Sequence, residues 1–333
     1  MKTTKRKGFI GILLMAWMGM ILGSCSGDGD GDGTLPKEHL SFKIDIIGYY
    51  GNSGNASEYI PMIADIPDQY NILIITFANF PNEDSPIELE IKGPYEGKYV
   101  FPEKPDQMIA DIALWKSKPD PYGRSRKALV SIGGENGHFP AKGDPVAITE
   151  KLVKFITAYN LDGLDIDLEG SSVQSANLLI DVIVKLKTDG YLVTAAPEAA
   201  QTPLNAYQSI IPLLDWVHPQ FYNNGPNSVA IPWVPEDCDF WLATDWQKRQ
   251  CSGIPNWVLV LQTMQTHLQL THDQLGMLFP TTPSAAGSYN NWDIQLLADQ
   301  VKEYEIRHAG TWAIAYDHTI DYAFAKAMGA LME

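Results

Sequence analysis

The sequence predicts an α/β fold, a closed (β/α)8 TIM barrel that forms one domain over residues 42–333. The chain has 333 residues, of which 45% are hydrophobic, so it can bury a core of the necessary size. Beyond residue 42, short apolar runs alternate eight times with helical stretches, which indicates parallel strands enclosed by helices. A doubly wound open sheet is the alternative, but no GxGxxG or phosphate-binding loop supports it.

The predicted strands are short apolar runs, and the stretches between them have helical periodicity. In chain order the strands cover residues 44–50, 71–78, 127–133, 162–169, 191–197, 216–222, 274–280 and 311–317. Residues 145–159 and 172–187 predict amphipathic helices. The segment that starts at Trp257 is ambiguous, but its large apolar residues recur at steps of four, three and four, so we predict a helix there.

The first 24 residues predict a lipoprotein signal peptide. Four basic residues precede an apolar run over residues 9–22, which ends in LGSC at residues 22–25. This ending resembles a bacterial lipobox, with cleavage before Cys25 and lipid attached to its thiol. An ordinary signal peptide with an incidental cysteine is the alternative.

Residues 25–41 predict a lipidated acidic tether. Residues 26–34 read SGDGDGDGT, which imitates the opening of an EF-hand calcium loop, but His39 occupies the twelfth position, where that loop needs Glu. Alternating Gly and Asp cannot bury apolar surface, so the segment is typical of a flexible linker. The acidic run also resembles surface-export signals of Gram-negative lipoproteins. We therefore expect an exported lipoprotein at the outer membrane or cell surface of a Gram-negative-type bacterium.

The charge excludes two classes of partner. The whole chain carries a formal charge of −16, and removal of the signal peptide leaves 20 basic against 40 acidic residues. We therefore expect no nucleic-acid binding, and membrane contact only through the lipid anchor.

Cys238 and Cys251 could form a disulfide or remain free thiols. No metal site and no cofactor is predicted, and we expect a monomer.

Four carboxylates fall within eight residues of the fourth predicted strand, DGLDIDLE. Alternation along this strand predicts that Asp165, Asp167 and Glu169 face the barrel interior, whereas Asp162 braces the start of the strand. Residues two apart on a strand lie roughly 6.6 Å apart. Acids at that distance in a poorly hydrated interior cannot all ionise cheaply, so some should have a raised pKa, as a general acid requires. A cation-binding or helix-capping cluster is the alternative.

The strand DGLDIDLE resembles the DxxDxDxE signature of family 18 glycoside hydrolases, the chitinases and their relatives. Further segments resemble other motifs of that family, especially its hevamine-like and bacterial branches. They are SIGG (131–134), APE (196–198), QFYNN (220–224), PTTPSAAGS (280–288) and the tryptophan of TWAIAYD (311–317). The resemblance covers roughly residues 42–325.

The resemblance implies a substrate-assisted mechanism that needs no enzyme nucleophile. Glu169 would protonate the glycosidic oxygen and later activate water, while the substrate's 2-acetamido oxygen attacks the anomeric carbon to form an oxazolinium ion. Asp167 would accept the acetamido N–H and stabilise its developing charge. Tyr222 would donate its hydroxyl to the acetamido oxygen. Asp165 would share a proton with Asp167.

The resemblance also implies a set of substrate-binding residues. Gln220 and Asn223 would hydrogen-bond the sugar or brace their loop, and Trp312 would stack beneath the distorted sugar. The remaining candidates lie at the ends of other strands and are Phe77, Gly134 and Glu198. Four histidines show no ligand spacing and are interpreted as surface or core residues: His138, His218, His267 and His272.

The implied function is retaining endo-hydrolysis of β-1,4-linked N-acetylglucosamine in chitin or chitooligosaccharides. One alternative is an endo-β-N-acetylglucosaminidase that cuts the chitobiose core of N-glycans with the same residues. A second alternative is a non-catalytic sugar-binding lipoprotein. Such relatives typically lose the acidic glutamate, so the presence of Glu169 argues against it.

Overall fold

The computed structural model describes residues 43–169, 176–222, 255–286 and 293–332. The strands in these residues are β1 (Asp45–Tyr50), β2 (Ile72–Asn79), β3 (Glu88–Ile91), β4 (Gly97–Val100), β5 (Lys127–Gly134), β6 (Gly163–Leu168), β7 (Leu192–Ala195), β8 (Trp216–Val217), β9 (Gly276–Pro280) and β10 (His308–Trp312). The α-helices are α1 (Asp106–Lys116), α2 (Pro145–Ala158), α3 (Ala176–Thr188), α4 (Gln201–Tyr207), α5 (Asn256–Leu268), α6 (Pro283–Ala286), α7 (Ile294–Glu303), α8 (Ile314–Thr319) and α9 (Ala323–Gly329).

Eight parallel strands form a nearly closed barrel. Neighbouring strands follow the order β8, β7, β6, β5, β2, β1, β10 and β9. Isolated parallel bridges from Val217 to Leu275 and from Gln220 to Leu278 join the two ends of this order. The predicted (β/α)8 barrel is therefore confirmed, and all eight strands end at the same edge.

An antiparallel hairpin interrupts the regular alternation of strands and helices. Strands β3 and β4 pair with each other, and β3 pairs with the end of β2 through Ala78 and Asn79. The sequence pattern did not predict this hairpin. The hairpin places Glu90 at the cavity described below.

Two predicted strands differ from the structure. The run over residues 216–222 forms only the two-residue strand β8, followed by the separate bridge at Gln220, because Pro219 has no N–H group to continue the ladder. The predicted strand over residues 311–317 is wrong beyond Trp312, where the chain turns into α8. Buried Asp317 accepts hydrogen bonds from the Tyr70 hydroxyl and from two backbone N–H groups at the start of α9, and these contacts require the turn.

Helices pack outside the barrel and bury its outer face. Helix α2 occupies the predicted segment, and its Asp144 side chain accepts a hydrogen bond from Val146 N, which caps the helix. The ambiguous segment after residue 256 forms α5, as predicted, with Trp257 and Met264 in the core. Within the described residues, no helix is both long enough and apolar enough to cross a membrane. The predicted signal peptide, Cys25 and the two later cysteines lie outside these residues and stay predictions.

Candidate active site

A cavity of about 970 Å³ opens at the carboxyl-terminal ends of the parallel strands. Its lining comes mainly from the ends of β2, β5, β6 and β10 and from residues that directly follow β7 and β8. This edge is where (β/α)8 barrels carry binding and catalytic residues. Eight residues selected from the sequence line it: Phe77, Gly134, Asp167, Glu169, Glu198, Gln220, Tyr222 and Trp312. Of the other two selected for the site, Asp165 lies deeper in the barrel and Asn223 falls outside the described residues.

Asp165 is fully buried and surrounded by hydroxyl groups. Ser131 and Thr194 lie directly beside it on the two neighbouring strands, in register. The Ser131 hydroxyl donates to Asp165 Oδ2 over 2.8 Å, and the Thr194 hydroxyl donates to Oδ1 over 2.6 Å. The Tyr49 hydroxyl, from β1, also donates to Oδ2 over 2.8 Å. Three donors to one carboxylate stabilise its negative charge.

Asp167 lies one layer above Asp165 and is only 3% exposed. Its Oδ1 accepts a 2.6 Å hydrogen bond from the Gln220 side-chain amide, which also donates to the backbone oxygen of Ala196. Burial raises the pKa of Asp167 well above its usual range, and the charges of Glu169 and Asp165 raise it further. Asp167 therefore holds a proton more readily than an exposed aspartate.

Glu169 directly follows β6 and faces the cavity. Burial raises the pKa of Glu169 to about 7, with further upward contributions from the charges of Glu198 and Glu135 and an opposing hydrogen bond from Gln220. A carboxyl group with such a pKa is partly protonated near neutral pH and can both give and accept a proton.

The backbone between these two acids is fixed by Tyr207 of α4. Its hydroxyl accepts a hydrogen bond from Leu168 N and donates one to Leu168 O, both over 2.8 Å. Leu168 separates Asp167 from Glu169, so this contact fixes the backbone at the end of β6, beside the cavity. No short-range sequence pattern indicated this role for Tyr207.

Two glycines at the end of β5 permit close packing beside the acids. Gly133 has φ of +118°, and a Cβ there would overlap the backbone carbonyl of Asp167, its partner across the strands. Gly134 has φ of +81°, and a Cβ there would lie 2.9 Å from the Phe77 ring. The SIGG motif is thus needed for the distance between β5 and β6 and for the position of Phe77.

Replacing Gly133 with Ala should destabilise the protein by roughly 2–4 kcal/mol, because it adds a backbone clash to an unfavourable φ. Gly123→Ala is a matched control, since Gly123 also has positive φ (+77°) but nothing lies within 4 Å of its missing Cβ. Chemical denaturation of both variants measures the difference. Equal losses of unfolding free energy in the two variants would contradict a steric role for Gly133.

Aromatic rings form one wall of the cavity. Phe77 and Trp312 stack with ring centroids 5.7 Å apart. The Tyr49 ring packs against Trp312, with centroids 5.6 Å apart. Tyr222 also lines the cavity and is 5% exposed. Burial and the charge of Asp167 raise the pKa of Tyr222, so its hydroxyl remains a donor. Polar side chains supply much of the remaining lining, and an apolar wall beside polar groups suits a carbohydrate ligand.

Several residues of the site had no predicted role. Tyr49, Thr194, Tyr207 and Glu135 lie in other parts of the chain, and the Tyr49–Asp165 contact joins residues 116 positions apart. Ser131 could have been found from the SIGG motif. His218, interpreted from sequence only as a surface or core residue, is fully buried and contacts Tyr49.

Comparisons with known proteins relate the chain to one family. The model of the family described as "Glycosyl hydrolases family 18" matches residues 45–233. A chitinase from Enterococcus faecalis is 26% identical over 243 residues, which cover 68% of this chain and 64% of that protein. Exochitinase 1 of Streptomyces olivaceoviridis is 27% identical over 60% of this chain and 38% of its own length. The chain thus spans less than two thirds of either relative.

Solved structures support the fold. A family GH18 chitinase from Chromobacterium violaceum superimposes with a TM-score of 0.64 at 21% identity, covering 87% of this chain and 83% of that one. At this identity the likeness concerns the fold of the described barrel.

Proposed function

Because the chain belongs to glycosyl hydrolases family 18, we propose that it hydrolyses β-1,4-linked N-acetylglucosamine in chitin or chitooligosaccharides, with retention of configuration. The observation that carries this proposal is the arrangement at the end of β6. Glu169, with a pKa of about 7, faces the cavity beside the buried, proton-holding Asp167. This arrangement supplies a proton donor and a group that can interact with a substrate amide.

In the first step, Glu169 donates its proton to the glycosidic oxygen while the substrate's acetamido oxygen attacks the anomeric carbon. The C–O bond to the leaving sugar breaks, and an oxazolinium ion forms. Tyr222, whose hydroxyl keeps its proton, donates a hydrogen bond to the acetamido oxygen and aligns it. Substrate-assisted chemistry of this kind is the known exception to the two-carboxylate scheme of glycoside hydrolysis.

In the second step, Glu169 acts as the base. It takes a proton from water, which attacks the anomeric carbon from the side that the leaving sugar vacated. The bond from that carbon to the oxazolinium oxygen breaks, and the acetamido group is restored. Two inversions at the same carbon give net retention. A carboxyl group whose pKa lies near the working pH serves both steps, because neither protonation state is strongly favoured.

Asp167 interacts with the acetamido nitrogen, where positive charge develops. In the structure three hydroxyl groups donate hydrogen bonds to Asp165, while burial favours a proton on Asp167. When positive charge develops on the substrate, negative charge on Asp167 becomes favourable. Asp165 is then the available acceptor for the proton of Asp167. The two acids therefore work as a coupled pair.

The aromatic wall and the amide groups suit a sugar ligand. Trp312 and its stacked neighbour Phe77 offer an apolar surface for one face of a sugar ring. Asn52, Asn55 and Asn79 line the same cavity and can donate to or accept from sugar hydroxyls. A chitooligosaccharide presents both kinds of surface.

The proposal is tested by a mass-spectrometric time course on N-acetylglucosamine pentamer, with the fully deacetylated pentamer as the matched control. We expect shorter oligomers from the first and none from the second, because only the acetylated sugar carries the internal nucleophile. A high-mannose glycoprotein is incubated in parallel. Glycan release with an intact pentamer would replace the proposal by the N-glycan alternative, and binding without cleavage would favour the sugar-binding alternative.

A further inference from the structure

A buried histidine lies directly behind the acid pair and is not used by the reaction described above. His218 follows β8, is 0% exposed, and places its Nε2 2.7 Å from the Tyr49 hydroxyl oxygen and 3.4 Å from Asp165 Oδ1. Residue 276, on β9, is glycine, which permits close packing against His308 and His218. A Cβ there would lie 3.2 Å from the His218 Cβ.

The Tyr49 hydroxyl has two neighbours and only one proton. It lies 2.8 Å from Asp165 Oδ2 and 2.7 Å from His218 Nε2. Burial and the charge of Asp165 raise the pKa of Tyr49, so the hydroxyl stays protonated. If its proton is directed to Asp165, then Nε2 of His218 must carry a hydrogen and donate it to the tyrosine oxygen.

The surroundings of His218 are consistent with a neutral ring. The titratable groups that face it are Tyr49 on β1, Asp165 on β6 and His308 on β10. Burial lowers the pKa of His218 to about 4. The charge of Asp165 opposes this shift and His308 adds to it. Within the described residues, Nδ1 of His218 has no hydrogen-bond partner, so one proton, on Nε2, satisfies all the contacts of the ring.

We infer that His218 is a positioning residue that donates Nε2–H to Tyr49, directs the tyrosine proton to Asp165, and so keeps the negative charge of the acid pair on Asp165. A neutral imidazole in the opposite tautomer would accept a hydrogen bond from the Tyr49 hydroxyl and so remove one of the three donors from Asp165. A hydroxyl group that accepts a hydrogen bond becomes a stronger donor. The hydrogen bond from His218 to Tyr49 therefore strengthens the one from Tyr49 to Asp165. This inference rests on the proposed function for its catalytic consequence, but not for its structural content.

The tautomer is measured on the unsubstituted protein by nitrogen NMR after selective ¹⁵N labelling of its seven histidines. The His218 signals are assigned from their loss in His218→Gln. We expect a neutral ring with hydrogen on Nε2 at pH 6–7. Hydrogen on Nδ1, or a doubly protonated ring at that pH, would overturn the inference, whether or not the protein cleaves chitooligosaccharides.

The kinetic test compares two substitutions of similar size. Gln places an amide donor near the position of Nε2, whereas Met has no donor. We expect His218→Met to move the acidic limb of the kcat/KM profile up by about half a pH unit, because the pair's negative charge is less well stabilised and the pair binds its second proton at higher pH. His218→Gln should leave the limb in place, and both variants should keep KM within about twofold.

A double-mutant cycle separates this role from packing. In a Tyr49→Phe background, His218→Met should cause no further shift of the acidic limb, because the intermediate hydroxyl is gone. The same shift in both backgrounds, or an equal shift in His218→Gln, would overturn the inference. If His218→Met does not fold, as judged by thermal unfolding, the tautomer measurement decides alone. Absence of any cleavage by the unsubstituted protein would instead contradict the proposed function.

Discussion

Glu169→Gln is expected to lower kcat on chitooligosaccharides by roughly 10³-fold while leaving oligosaccharide affinity within a few fold, since a positioned general acid and base contributes about 10²–10⁴. Gln has nearly the same shape as Glu but can neither donate an acidic proton nor accept one from water. Both steps of the proposed reaction use Glu169, so both should slow. Single-turnover rates and calorimetric affinity for a pentamer measure the two effects separately.

The cavity offers a matched control for this substitution. Glu135 lines the same space, and its charge raises the pKa of Glu169, but it is assigned no proton transfer. Glu135→Gln should therefore cause a much smaller loss than Glu169→Gln. Comparable losses in the two variants would indicate that the cavity's negative charge matters rather than proton transfer, and cleavage unchanged in Glu169→Gln would contradict the proposed function.

The barrel could be predicted from sequence because the patterns that indicate its strands and helices are local. Most of the parallel strands are apolar runs, and helices such as α2 repeat their apolar positions at helical spacing. The departures arise where distant contacts decide the structure. The apolar run in TWAIAYD predicts a strand, but Asp317 makes its hydrogen bonds with Tyr70, far away in sequence, and with the start of α9. These contacts favour α8.

The candidate site likewise combines features that the sequence predicts with features that depend on distant contacts. The spacing of Asp165 and Asp167 on β6, and of Glu169 directly after it, predicts that all three face the barrel interior, because strand periodicity is fixed at two. The contacts that set their charges come from other strands and could not be read from spacing. The bond between His218 and Tyr49 joins residues 169 positions apart, and only closure of the barrel brings them together.

Asp167→Asn is expected to lower kcat by roughly 10²–10³-fold, the usual cost of removing one group that stabilises charge in the transition state. Asn preserves the size of the side chain and an oxygen that can accept the Gln220 hydrogen bond. It cannot become negative when positive charge develops on the acetamido nitrogen. Folding should be little affected, and thermal unfolding provides that check.

An activated substrate distinguishes the two acids. An aryl chitobioside with an acidic phenol as leaving group needs no proton from the enzyme, so the first step catalysed by Glu169→Gln should recover much of its rate, seen as a burst of released phenol. Asp167→Asn should recover little, because formation of the oxazolinium ion still requires a charge beside the nitrogen. A thiazoline analogue of that ion should likewise lose affinity for Asp167→Asn but not for Glu169→Gln. Full recovery of Asp167→Asn on the aryl substrate would show that Asp167 supports leaving-group protonation instead, and the roles of the two acids would then have to be reassigned.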